Sequence, residues 1–171
     1  EVDYLEKMMK GQGYLDTKQM AGAFQMLRSY DLIWSRMVKE YLMGQRGELF
    51  DIMAWNADAT RMPYKMHSEY LERLFLNNEF ANGRYSVLGK AIAPENITLP
   101  VFAVGTEKDH VAPWKSVYKI HLMVGNEVTF VLTNGGHNAG IVSEPGHKYR
   151  HYHMASTKPG SAYEAPDEWL E

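Results

Sequence analysis

Two side chains with chemistry to offer stand just beyond two apolar runs. Asp109 closes "GTEKD" after the run Val101–Val104, and His137 closes "NGGH" after the run in "EVTFVLT". If those runs are neighbouring strands, both side chains leave the same end of one sheet and can meet above it. A carboxylate bonded to one imidazole nitrogen fixes the tautomer and stabilises the imidazolium. The other nitrogen is then free to take a proton from a nucleophile. Such a pair is the acid and base of a catalytic triad, in Asp-before-His order. A plainer reading stays open beside it: Asp109 can be a turn residue or the N-cap of a helix beginning near Pro113. For His137 the flanking glycines, Gly135 and Gly136, imply a close backbone approach and unusual dihedrals that a simple strand exit does not need.

The nucleophile is the missing third. The 171 residues contain no cysteine, and no serine sits in the Gly-x-Ser-x-Gly frame of a strand-to-helix elbow. Ser86 in "GRYSVLG" lies between glycines at the wrong spacing. Because the nucleophile precedes Asp and His in that chain order, it is expected upstream of Glu1. The opening "EVDYLEKMMK" is already amphipathic and has no initiating methionine, so the chain is expected to begin inside a larger protein.

The elements that must position this pair follow from periodicity. Up to about residue 83 the pattern is helical. Asp16 or Thr17 can cap a helix carrying Met20, Phe24 and Leu27 on a core-facing stripe. Asp31 is a natural N-cap for a second helix with Trp34, Val38 and Leu42 on one side and Gly44 as its stop. A third is expected from Pro63 to Asn78, with Met66, Tyr70 and Leu74 spaced by four. From Tyr85 the period changes. "YSVLGKAIA" reads as a small hairpin, Val101–Val104 as a strand buried on both faces, "PWKSVYKIHLMV" as a helix and "EVTFVLT" as a second strand. Strand, helix, strand is a βαβ unit. The remainder, "SEPGHKYRHYHMASTKPGSAYEAPDEWLE", reads as mostly loop, with a helix starting near Pro166. The expected class is therefore α/β, divided into a helical region, 1–83, and a sheet region, 84–171.

Other constellations are weaker. His147, His151 and His153 lie close in "HKYRHYH", but without a carboxylate or cysteine at matching spacing they read as a solvated basic loop rather than a metal site. His110 and Trp114 flank Asp109 and could line a pocket or simply pack. The eleven methionines fall mostly on helical stripes, as flexible core filling or a pliable apolar surface. With 45% hydrophobic and 23% charged residues and a net charge of −3, the composition is that of a globular domain. Nothing in it suggests a nucleic-acid footprint, a bilayer-spanning run or a leader peptide. The cytoplasm is the default compartment.

Five stretches in order, "MAGAFQMLRSYDLIW", "YLMGQRGELFDIMAWNADATRMP", "HSEYLERLFLNN", "GTEKDHVAPWKSVY" and "FVLTNGGHNAGIV", resemble the carboxyl-terminal half of polyhydroxyalkanoate synthases. The resemblance runs from about Gly13 to Trp169. It implies a partial α/β-hydrolase fold, with 1–83 most of a helical lid and 84–171 the last core strands. It also implies a cysteine–histidine–aspartate triad that joins 3-hydroxyacyl groups from coenzyme A thioesters into polyester. Asp109 and His137 match the family's aspartate and histidine, with His110 and Trp114 adjacent, and the cysteine has no counterpart. The aspartate's family role is activation of the substrate 3-hydroxyl, or orientation of His137. No cofactor and no metal is implied, since coenzyme A arrives with the substrate. The partners implied are 3-hydroxyacyl-CoA, the growing polyester and a second subunit, and the place is the cytoplasm at the polymer granule. Lys108 stands where many members have Glu before the Asp-His pair, and Gly135-Gly136-His137-Asn138 where many have Ser-Gly-His-Ile. The chain alone is expected to be inactive. Two rivals remain: a related hydrolase that passes the acyl group to water, and a non-catalytic module for dimerisation or granule binding.

Overall fold

The structure, a computed structural model, describes residues 6–7, 9–27, 29–45, 47, 51, 54–55, 58 and 60–171. The side chains of 23–25, 27, 31 and 32 are outside that set, and so are Asn56 of the "WNADAT" run and the expected core contacts of Phe24 and Leu27. The chain divides into two compact units, Glu1–Asn78 and Glu79–Glu171.

The first unit is helical. Strands β1 (Tyr14–Leu15) and β2 (Met62–Pro63) pair antiparallel, and the Arg61 guanidinium lies 4.4 Å from the centre of the Tyr14 ring. Asp16 then opens helix α1 (Thr17–Leu27) with a reciprocal cap. Its Oδ1 accepts from the Lys18 N–H at 3.4 Å, and its own N–H donates to Gln19 Oε1 at 3.0 Å. This arrangement satisfies N–H groups that have no partner within a helix's first turn. Residues 30–42 form α2, with π-type turns over Tyr30–Trp34 and Val38–Leu42 around an α segment Ser35–Met37. Ser29 is already helical, so Asp31 lies inside the helix rather than at its N-cap. Trp34, Val38 and Leu42 are exposed in this chain. Helix α3 runs through Tyr64–Glu69 and on as π-type turns over Tyr70–Leu76. Its buried point is Ser68, whose hydroxyl donates to the Tyr64 carbonyl at 3.1 Å. Met66 and Tyr70, whose spacing by four marked this helix, are exposed.

The second unit is α/β. Strands β3 (Tyr85–Val87) and β4 (Lys90–Ile92) form the expected hairpin, turning through Leu88 and Gly89 at φ +50° and +77°. Two consecutive left-handed residues give the turn whose twist matches a hairpin. Strand β5 (Val101–Thr106) pairs parallel with β6 (Val128–Thr133), in register Val101↔Val128 through Thr106↔Thr133. Between them run helix α4 (Trp114–Tyr118) and a 3₁₀ turn, Lys119–Leu122. This is the βαβ unit read from the sequence.

The remainder of the chain departs from expectation. Residues Tyr152–Thr157 are not loop but a third strand, β7, antiparallel to β6. Helix α5 (Pro166–Leu170) then starts where the proline suggested. The sheet order is β5-β6-β7, which makes β6 the central strand.

Side chains alternate across these strands. Phe130 and Leu132 point to the face covered by Tyr118 and Trp169, and with them form one buried cluster. Phe130 meets Tyr118 edge-on at 5.0 Å and Trp169 edge-on at 5.3 Å, the geometry that aromatic quadrupoles favour. Burial, then the nearby Glu164 and Tyr163, pushes the Tyr118 phenol up to about 12, so it stays a hydrogen-bond donor and meets the Glu164 carbonyl at 3.3 Å. The opposite face is only partly covered: Val131 and Thr106 are buried there, while Phe102, Tyr152 and Met154 are exposed. Strand β5 is therefore not buried on both faces. It lies at the sheet's edge, and only its end at Gly105 and Thr106 is buried.

Candidate functional site

At the carboxyl ends of β5 and β6 the ladder continues past the strands. The Glu107 N–H donates to the Thr133 carbonyl at 2.9 Å and the Lys108 N–H to the Gly135 carbonyl at 2.9 Å. These bonds bind the two outgoing loops to each other before either side chain is reached. Asp109 and His137 then meet, with 2.8 Å between His137 Nδ1 and Asp109 Oδ2.

Each oxygen of Asp109 has its own partners. Oδ1 accepts from the Val111 and Ala112 N–H groups at 2.8 and 2.9 Å. Oδ2 accepts from His137 and, at 3.3 Å, from the hydroxyl of Thr106, a residue only 1% exposed. The turn-residue reading of Asp109 is thus true of one oxygen and the pairing reading of the other. The helix-cap alternative is not, since α4 starts beyond Pro113.

Burial is the largest single influence on the Asp109 carboxyl and raises it. The Ala112 N–H, His137 and the Val111 N–H together outweigh burial and hold the carboxyl down at about 2. A carboxylate ionised at neutral pH only accepts hydrogen bonds, so the proton between the pair sits on Nδ1 of His137. Nε2 is the nitrogen left with a lone pair. The Asp109 side chain is 8% exposed and that of His137 45%, so the acid is tucked beneath a base that reaches solvent.

Gly135 and Gly140 have a steric task, whereas a Cβ on Gly136 would meet nothing within 4 Å, and neither Gly135 nor Gly136 takes the left-handed backbone that unusual dihedrals would imply. A Cβ on Gly135 would overlap the Gly140 backbone and come within 2.7 Å of Arg150 Nη1. One on Gly140 would lie 2.7 Å from both the Gly136 carbonyl and Thr106 Cγ2. The His137 loop therefore folds back on itself directly over the end of β5. The Thr133 hydroxyl secures the fold by donating to the Gly140 carbonyl at 2.8 Å.

The remaining candidates are dispersed. His110 is exposed on the bend after Asp109. Trp114 packs into the aromatic core, 6.3 Å from Tyr118 and 6.5 Å from Trp169. The three clustered histidines take three different partners: His147 meets Glu144 at 2.8 Å, His151 meets Glu107 at 3.8 Å, and the His153 ring lies 4.4 Å from Trp169. Among the described residues no group of three or more His, Cys, Asp or Glu side chains could hold a metal ion. Among them too, no helix is long and apolar enough to cross a membrane. Sequence reasoning did not single out Thr106 or Asn134. The signal for Thr106 was its place as the last residue of a strand leading to Asp109.

Fold and site together define an α/β protein with a carboxylate–imidazole pair at the carboxyl ends of adjacent parallel strands. No family model matches the chain. It is 38% identical, over 99% of its length, to the poly(3-hydroxyalkanoate) polymerase subunit PhaC of Rhizobium meliloti (strain 1021). Over 88% it is 41% identical to the poly(3-hydroxyalkanoate) polymerase of Methylorubrum extorquens, and over 89% it is 33% identical to the PhaC subunit of Cupriavidus necator. The chain is thus similar to poly(3-hydroxyalkanoate) polymerases, and it spans 25–29% of the length of these relatives.

Proposed function

We propose that the chain is the carboxyl-terminal part of a polyhydroxyalkanoate synthase, an acyltransferase that polymerises 3-hydroxyacyl-CoA thioesters. In this reading the fold is the last part of an α/β-hydrolase core, 84–171, preceded by most of a helical lid, 1–83. Asp109 and His137 are the acid and base of a triad whose cysteine is supplied from outside these residues. The observation that carries the reading is the 2.8 Å bond between His137 Nδ1 and Asp109 Oδ2 at the ends of adjacent parallel strands.

The chemistry follows from the free Nε2. His137 takes the proton of the cysteine thiol, because the thiolate is the competent nucleophile. The thiolate attacks the thioester carbonyl. The bond to the coenzyme A sulfur breaks, and the departing thiolate recovers the proton from the imidazolium. Attack by a 3-hydroxyl on the acyl-cysteine then lengthens the polyester, with its proton leaving through the same nitrogen. A carboxyl held at about 2 is a weak base, so Asp109 contributes by orienting His137 and stabilising its charged form rather than by accepting the hydroxyl proton. No resident cofactor enters this scheme. The reading assigns the work to the polymer granule surface in the cytoplasm, in a homodimer.

In a complete polymerase carrying this segment, His137→Gln and Asp109→Asn are expected to slow coenzyme A release from 3-hydroxybutyryl-CoA by about 10²- to 10⁴-fold. The 171-residue chain alone, lacking a cysteine, is expected to release none. Polymer made by the chain alone, or full activity in His137→Gln, overturns the assignment. Free 3-hydroxy acid as the main product identifies a hydrolase instead.

A further inference from the structure

Strand β6 has to leave its ladder with β7 before it can deliver His137 to Asp109, and Asn134 is where it does so. The regular rungs end at Thr133↔Tyr152. At the next position the Asn134 N–H still donates to the His151 carbonyl, at 3.2 Å. The Asn134 carbonyl, however, has turned off the ladder and accepts from Arg150 Nη1 at 2.9 Å. Its side chain fills the vacated place: Oδ1 accepts the His151 N–H at 3.0 Å, and Nδ2 donates to the Tyr149 carbonyl at 2.6 Å.

All four polar groups of one residue are thus committed to the segment 149–151. The side-chain amide stands in for a peptide unit, which a residue with only a donor or only an acceptor cannot do. Freed by this substitution, the main chain bends toward β5. The Gly135 carbonyl takes the Lys108 N–H beside Asp109, and Arg150 lies against Gly135. On the other side of the clasp Tyr149 is 91% exposed and held at φ +64°. For a bulky residue that conformation is unfavourable and persists only where its surroundings impose it.

We propose that Asn134, through its clasp on Tyr149, Arg150 and His151, is a positioning residue that sets His137 against Asp109. This rests on the reading of that pair as the acid and base of the site, and it is tested without recourse to turnover. In the isotope-labelled full chain, the proton on His137 Nδ1 gives a signal coupled to the ring, and the Asp109 carboxyl carbon reports its own titration. In Asn134→Ala the Nδ1–H signal is lost to exchange and the ring becomes a mixture of tautomers. The Asp109 midpoint rises from about 2, because one of the groups that lower it has moved away.

Arg150→Ala, which releases the Asn134 carbonyl and leaves the side-chain bonds in place, is expected to change the same signals to a smaller degree and serves if Asn134→Ala fails to fold. Arg150→Lys, which keeps a donor, restores them. Tyr149→Gly, which keeps the carbonyl and removes the strained side chain, leaves them unchanged. Unaltered His137 and Asp109 signals in folded Asn134→Ala, or in Arg150→Ala where that variant is the one that folds, overturn the proposal. A failure of the triad reading instead shows in the turnover of His137→Gln.

Discussion

With Oδ1 of Asp109 accepting from two backbone N–H groups and Oδ2 from Thr106 and His137, protonating this carboxyl costs more in the folded chain than in the unfolded one. Its folded value of about 2 lies below the ordinary 3.8. Its contribution to stability is therefore present above about pH 4 and is lost as pH falls through 2. Urea unfolding across that range should show a falling stability, and Asp109→Asn should remove the part of the fall that belongs to this residue. Asp16 and Glu144 are also lowered, by the Lys18 N–H and by His147 respectively, so the difference between the two proteins is the quantity to read. The pair itself was legible in the sequence because both residues close an apolar run. Asn134 was not. Its partners lie fifteen to seventeen positions along the chain, in a stretch whose composition suggests only a polar loop, and one of them, Tyr149, has a left-handed backbone that composition does not announce.

At the scale of elements, the βαβ unit could be read because Val101–Val104 and "FVLT" are short apolar runs with helical spacing between them. Strand β7 could not. Its inward residues are His153, Ala155 and Thr157, opposite Leu132, Phe130 and Val128, so its alternation is a small or polar side chain facing a large apolar one. In a histidine-rich stretch bounded by glycine and proline, that pattern carries no hydrophobic period. The burial expected of β5 failed for the opposite reason: its run is apolar, yet Phe102 points to the partly covered face. The hairpin was legible at Gly89, but its other turn residue is ill-suited. Leu88 is 98% exposed at φ +50°, where asparagine is at home and a branched aliphatic is not. Leu88→Asn is expected to stabilise the chain by about 0.5–1 kcal/mol, measured as a raised denaturation midpoint at unchanged slope.

For the whole molecule, the second unit covers one face of its sheet with an aromatic cluster and the other only in part. Tyr118, Phe130, Leu132 and Trp169 close one face, while Phe102, Tyr152 and Met154 remain exposed on the other. Apolar patches of this kind bind hydrophobic dyes without any unfolding. The native chain should therefore enhance the fluorescence of an anilinonaphthalene dye. Phe102→Ser with Met154→Ser should lower that signal while changing the unfolding free energy by only about 0.5 kcal/mol, as expected for surface positions. The order of the strands has a further consequence, for time rather than for space. Because β5-β6-β7 in the sheet is also their order along the chain, each strand meets a partner made just before it. The Asn134 clasp forms only when the segment 149–151 that leads into β7 is in place. On the proposal made for Asn134, the clasp is the last of these contacts that the chain can complete, because its partners at 149–151 follow both parallel strands in sequence.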